Sequence, residues 1–69
     1  MAVVKVLELV GTSEQGWREA VESAVAQAAR TVDHIHGVEV ENWTAHVSDG
    51  RIREYKANVK VAFAVDPDR

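Results

Sequence analysis

The chain has 69 residues, one proline, no cysteine and a formal charge of −3. That length admits a single domain over residues 1–69, and domains of this size bury only about 60% of their unfolded surface. Without cysteine there is neither a disulfide nor a thiolate zinc site, so stability has to come from the core, a His/carboxylate metal site or self-association.

No apolar run approaches the roughly 20 residues that cross a bilayer, so no membrane partner is expected. Mild acidity without a basic cluster argues against nucleic acid, whose phosphates call for a lysine- and arginine-rich stripe. The opening residues carry Lys5 and Glu8 and read as a strand and not as a signal peptide. Cytoplasm is the default location for a chain without an address.

Val3 to Val10 are β-branched and aliphatic residues interrupted by Lys5 and Glu8, a first strand. Gly11 is expected to break it. Thr12 and Ser13 then offer side-chain oxygens to the free N–H groups of a helix, Thr12 with Gln15 fits a capping box, and Glu14 complements the helix dipole. From about Glu14 to Val32 the period is helical. Trp17, Ala20, Val21, Ala24, Ala28 and Val32 share one face, and Trp17 is expected in the core.

Asp33 to Gly37 end the helix, and Val38 to Val47 form a second strand. Asp49-Gly50 supplies the positive φ of a tight hairpin. Arg51 to Val65 is a long third strand with Tyr55, Ala57, Val59, Val61, Phe63 and Val65 on one face. Ile52 is out of phase with that set, which predicts a bulge or a twist near Arg53-Glu54, and Asp66-Pro67 is expected to close the strand. The class is therefore α+β, in the order β-α-β-β. Three strands on one helix leave a sheet face and two edges uncovered, and other copies of the chain would cover them.

The segment Glu8-Leu9-Val10-Gly11-Thr12-Ser13, the helix start with Trp17, the Asp49-Gly50 hairpin and the run Arg53-Glu54-Tyr55-Lys56 through Val59-Lys60-Val61-Ala62-Phe63 resemble the dodecins over nearly the whole chain. The resemblance implies an antiparallel three-stranded sheet wrapped around the helix and assembly into a hollow homo-dodecamer. It implies a flavin (riboflavin or FMN) as cofactor, bound in pairs near two-fold axes for storage and not for catalysis. Some members are similar in binding coenzyme A or metal ions.

In the flavin site that the resemblance implies, a tryptophan at the start of the second strand stacks on the ring, and a third-strand glutamine bonds its pyrimidine edge. Those positions are held here by Gly37 and Lys56. Glycine offers no ring to stack on, and lysine donates hydrogen bonds but cannot accept them. Trp43, six residues beyond Gly37, would share its face on an unbroken strand and replace the stacking platform, unless it anchors a subunit interface. The candidate flavin site is thus Gly37, Trp43, Thr44 and Lys56 at a two-fold axis. The alternative is a flavin-free shell holding an ion or a small anionic ligand.

His34 and His36 form an H-x-H pair with His46 further on, read as polar junction residues or as a metal site shared between copies. Glu39 and Glu41 are expected to face Lys56 and Lys60 across the hairpin, as a solvated or interface salt-bridge network or, alternatively, with the lysines lining a pocket for an anionic ligand such as a phosphate. No catalytic residue is expected: Ser13 reads as a cap, Ser23 sits on the helix, Ser48 lies in a turn, and no glycine-rich phosphate loop is present.

Overall fold

The computed structural model describes residues 3–65. Strand β1 (Val3–Ser13) leads to helix α1 (Trp17–Ala28), then strands β2 (Ile35–Ser48) and β3 (Arg51–Val65). The sheet order is β1-β3-β2, with β3 antiparallel to both neighbours. β1 and β2 therefore run the same way on either side of β3, and α1 provides the crossover between them. Asp66-Pro67 lies outside the described residues.

Gly11 does not end β1. The strand continues to Ser13, with Gly11 paired to Ala57, Thr12 to Lys56 and Ser13 to Tyr55. What demands glycine is the helix above it: a Cβ on Gly11 would lie 2.0 Å from the Ala20 carbonyl oxygen and 3.0 Å from the Ala24 Cβ. Loss of the side chain lets α1 lie directly on the sheet. Ala20, Ala24 and Ala28, spaced at one helical turn, continue that close approach and are all buried.

The helix is shorter at both ends than its apolar period suggested. It starts at Trp17 behind Gly16, and no side chain caps it. The Ser13 hydroxyl instead accepts from the Gln15 N–H at 2.9 Å, closing a turn before the helix begins. At the other end Thr31 N–H and Val32 N–H both donate to the Ala28 carbonyl, at 3.1 and 3.0 Å, in a tightened last turn. The chain then reverses through His34, at φ 63°, whose carbonyl accepts from the Ala64 N–H at 3.0 Å.

The hairpin between β2 and β3 turns at Asp49 (φ 55°) and Gly50 (φ 73°), the two positive-φ positions a tight turn needs. Three irregularities interrupt the β2–β3 register. The predicted one is present: His46 pairs with Glu54 and Val47 with Ile52, leaving Arg53 as the extra residue on β3. The other two place extra residues at His36 and Glu41 on β2.

The core is thin. Its buried members are Ala20, Ala24 and Ala28 from the helix and Ala57, Val59 and Val61 from β3, with Leu9, Val21, Val25, Ile35 and Val40 packed around them. Trp17, expected in that core, lies at its margin: as the first residue of α1 it overhangs the end of the alanine stripe and is half-buried. The molecule is 54 Å long and 13 Å thin, and the hairpin end from His46 to Arg53 is exposed throughout. Val3, Val4, Val6, Val10, Val38, Trp43, Val47 and Ile52 are large apolar side chains left open to solvent.

Candidate functional site

The register sorts the candidate residues onto two faces. Ala57, Val59 and Val61 point toward the helix, so Lys56, Asn58, Lys60, Ala62 and Ala64 point to the outer face. Their partners on β2 and β1 follow them. Across the outer face run the rows Thr12–Lys56–Thr44, Val10–Asn58–Asn42, Glu8–Lys60–Glu39 and Val6–Ala62–Gly37.

Gly37, Thr44 and Lys56 are therefore on one face, and Trp43 is not. Trp43 pairs with Ala57 and lies on the helix side. The extra residue at Glu41 shifts the alternation by one, so the count of six from Gly37 no longer returns to the same face. Nor do Gly37 and Lys56 meet within a protomer. Gly37 pairs with Ala62, six residues along β3 from Lys56, or roughly 20 Å at the ~3.3 Å rise of a strand. A Cβ on Gly37 would find no atom within 4 Å, so the place of the expected ring is open.

On the helix side Trp43 joins an aromatic group. The Trp17 ring stands edge-on to Tyr55 at 4.7 Å and to Trp43 at 6.4 Å, measured between centroids. The Trp17 indole N–H donates to the Thr44 carbonyl at 2.9 Å, which ties the start of the helix to β2. Trp43 remains 51% exposed, and with Trp17 it lines an almost wholly apolar cleft of about 340 Å³.

The charges fall differently from the simple facing pattern. Lys60 has Glu8 and Glu39 as register partners and forms its ion pair with Glu41 at 3.7 Å. Lys56 faces hydroxyls instead, Thr12 on one side and Thr44 on the other, and among the described residues it makes no ion pair. His34 and His36 lie at the start of β2, whereas His46 is opposite Glu54 near the hairpin end. Among the described residues no cluster of three or more His, Cys, Asp or Glu is placed to hold a metal. Among them, too, no helix is long and apolar enough to cross a membrane.

Sequence reasoning missed Thr12, Asn42 and Asn58 as neighbours of Lys56, and Tyr55 as a partner of Trp17. In the sequence Thr12 reads as a helix cap because Gly11 looks like a strand end. Only its exchange with Lys56 in the sheet reveals it as part of the outer face.

The dodecin family model matches residues 3–66. The chain belongs to the dodecin family. A dodecin of Thermus thermophilus is 34% identical over 64 residues, covering 93% of each chain. A calcium dodecin of Mycobacterium tuberculosis is 37% identical over 68 residues, covering 97% of this chain and 94% of its own. A crystal structure of a Thermus thermophilus protein superimposes with a TM-score of 0.92 at 33% identity, covering 96% of this chain and 97% of that one. The β-α-β-β order and the sheet around one helix are thus those of dodecin structures.

Proposed function

We propose that copies of this dodecin assemble into a hollow shell, a homo-dodecamer as is typical of the family, which sequesters a small ligand between subunits and performs no chemistry on it. The observation that carries this reading is the separation of the candidate site. Gly37 and Lys56 share the outer face but lie too far apart to hold one ligand within a protomer, so a site using both is completed by another copy. The same face presents Val4 and Val6 at 56% exposure beside Ala62 and Ala64, an apolar surface that a second copy would cover.

The geometry favours an ion or small anion over flavin as the ligand. Stacking a ring on an aromatic side chain is worth about 1–3 kcal/mol in nucleic-acid complexes. Gly37 offers no such platform, and Trp43 faces the other way. The calcium dodecin, at 37% identity, is a precedent for a relative with a non-flavin ligand. The flavin reading rests on Trp43, whose half-exposed indole offers a stacking face on the helix side.

Titration of riboflavin and FMN with purified, assembled protein separates the two readings. Flavin fluorescence is expected to stay unquenched at micromolar protein. Saturable quenching that disappears in Trp43→Ala would overturn that expectation and establish flavin binding at the rebuilt platform.

A further inference from the structure

Across the middle of the outer face, Lys56 lies between Thr12 on β1 and Thr44 on β2. Directly opposed residues in antiparallel strands have Cβ atoms about 4.5–5.5 Å apart, so the two hydroxyls flank the lysine stem on both sides. Lys56 is half-buried, which confines its stem along the sheet. Its surroundings differ from those of the cations that the fold pairs off. Arg18 binds Glu22 at 3.0 Å, Lys60 binds Glu41 at 3.7 Å and Arg53 reaches Asp49 at 4.0 Å. Lys56 has no such carboxylate among the described residues.

The next row adds Asn58 and Asn42, whose amides face each other across β3 and β2. Together the two rows set one ammonium, two hydroxyls and two amides side by side. An ammonium donates up to three hydrogen bonds, and each hydroxyl and amide has donors of its own. That is a donor-rich patch with a single positive charge, the complement of a tetrahedral oxyanion. The acidic side chains on the same face are Glu54, two positions before Lys56 and opposite His46, and Glu8 and Glu39, which flank Lys60 in the row beyond Asn58.

We propose that Thr12, Lys56 and Thr44, supported by Asn42 and Asn58, bind a phosphate group, either free phosphate or the phosphomonoester of a larger ligand. The inference rests on the shell reading, because a row open to water holds phosphate weakly, whereas a second copy over this face excludes water and strengthens charge-assisted hydrogen bonds. Glu54 opposes the anion electrostatically from one side and Glu8 and Glu39 from the other, partly offset by Lys60 between them, and together they limit affinity.

The test is calorimetric titration of the assembled protein with inorganic phosphate and, separately, with glycerol 3-phosphate. It is run on the wild type, Lys56→Gln, Thr44→Val and Glu54→Gln, with oligomer mass measured by sedimentation in each case. Saturable binding is expected in the wild type. Lys56→Gln should weaken it roughly tenfold or more, the size of one lost hydrogen bond to a charged group. Glu54→Gln should bind at least as tightly as the wild type. Tighter binding of glycerol 3-phosphate than of phosphate assigns a phosphomonoester, and the reverse assigns the free ion. An intact oligomer whose phosphate binding is absent, or is unchanged by Lys56→Gln, overturns this inference alone. A monomeric protein overturns the shell reading and the inference together.

Discussion

Gly11→Ala is the substitution on which the account of the fold can be broken most directly. The added methyl would start 2.0 Å from the Ala20 carbonyl oxygen, where real Cβ atoms do not approach within 3.0 Å. The obstacle is helix backbone, which cannot swing aside like a side chain, so α1 has to retreat by at least about 1 Å. A radial gap of 0.5–1 Å forfeits roughly a quarter to a half of each van der Waals contact. Here the contacts at risk join Ala20 and Ala24 to β3, in a core whose largest fully buried side chains are Val59 and Val61. Overpacking typically costs about 1–3 kcal/mol, and the upper end is expected at a site with no soft neighbour. Gly37→Ala is the matched control within the protomer: its Cβ meets nothing of the same chain within 4 Å, so a change within about 0.5 kcal/mol is expected at a dilution that keeps the protein monomeric. Urea unfolding followed by far-UV circular dichroism measures both, at one protomer concentration because assembly stabilises by mass action. If Gly11→Ala falls within about 1 kcal/mol of the wild type, the helix does not rest on β1 as described, and the explanation of Gly11 is wrong.

Two further substitutions test the surfaces. Val6→Lys puts an ammonium into the apolar end of the outer face, where Val6 is 56% exposed and paired with Ala62; sedimentation should show a reduced oligomer mass, and an unchanged mass would exclude that face from the interface. Trp17→Phe keeps an aromatic ring but removes the 2.9 Å hydrogen bond to Thr44. A loss of about 1–2 kcal/mol is expected, with greater acrylamide quenching of Trp43, and unchanged stability and quenching would count against the aromatic group as a clamp.

Much of the fold was legible because local signals agreed with one another. The alternation from Tyr55 onward put Ala57, Val59 and Val61 beneath the helix, and Asp49-Gly50 marked the turn. The phase slip at Ile52 marked the bulge at Arg53. Where the reading failed, the cause was a tertiary contact with no local trace. Gly11 looks like a strand breaker until Ala20 is seen above it, and Thr12 and Ser13 look like caps until β3 is seen beside them. The bulge at Glu41 had no comparable signal, since Val38 to Val47 alternates too loosely for one extra residue to stand out. That single residue decided which face Trp43 occupies, and with it whether the candidate site was one cluster or two.

The outer face divides along its length in a way that joins assembly to ligand binding. At one end Val4, Val6, Ala62, Ala64 and Gly37 are apolar or small. Beyond the charged row of Glu8, Lys60 and Glu39 come the donors Thr12, Lys56, Thr44, Asn42 and Asn58. Burying a valine side chain contributes about 1.5–3 kcal/mol from fully exposed, so Val4 and Val6, each a little over half exposed, together offer an interface about 2–3 kcal/mol per protomer. A copy that spans the face from those valines past the charged row also covers the donors. Covered donors without an acceptor cost about 1–3 kcal/mol each, and a bound anion relieves that cost. Assembly and occupancy should therefore support one another: the thin alanine and valine core leaves the protomer in need of a partner, and the partner leaves Lys56 in need of an anion.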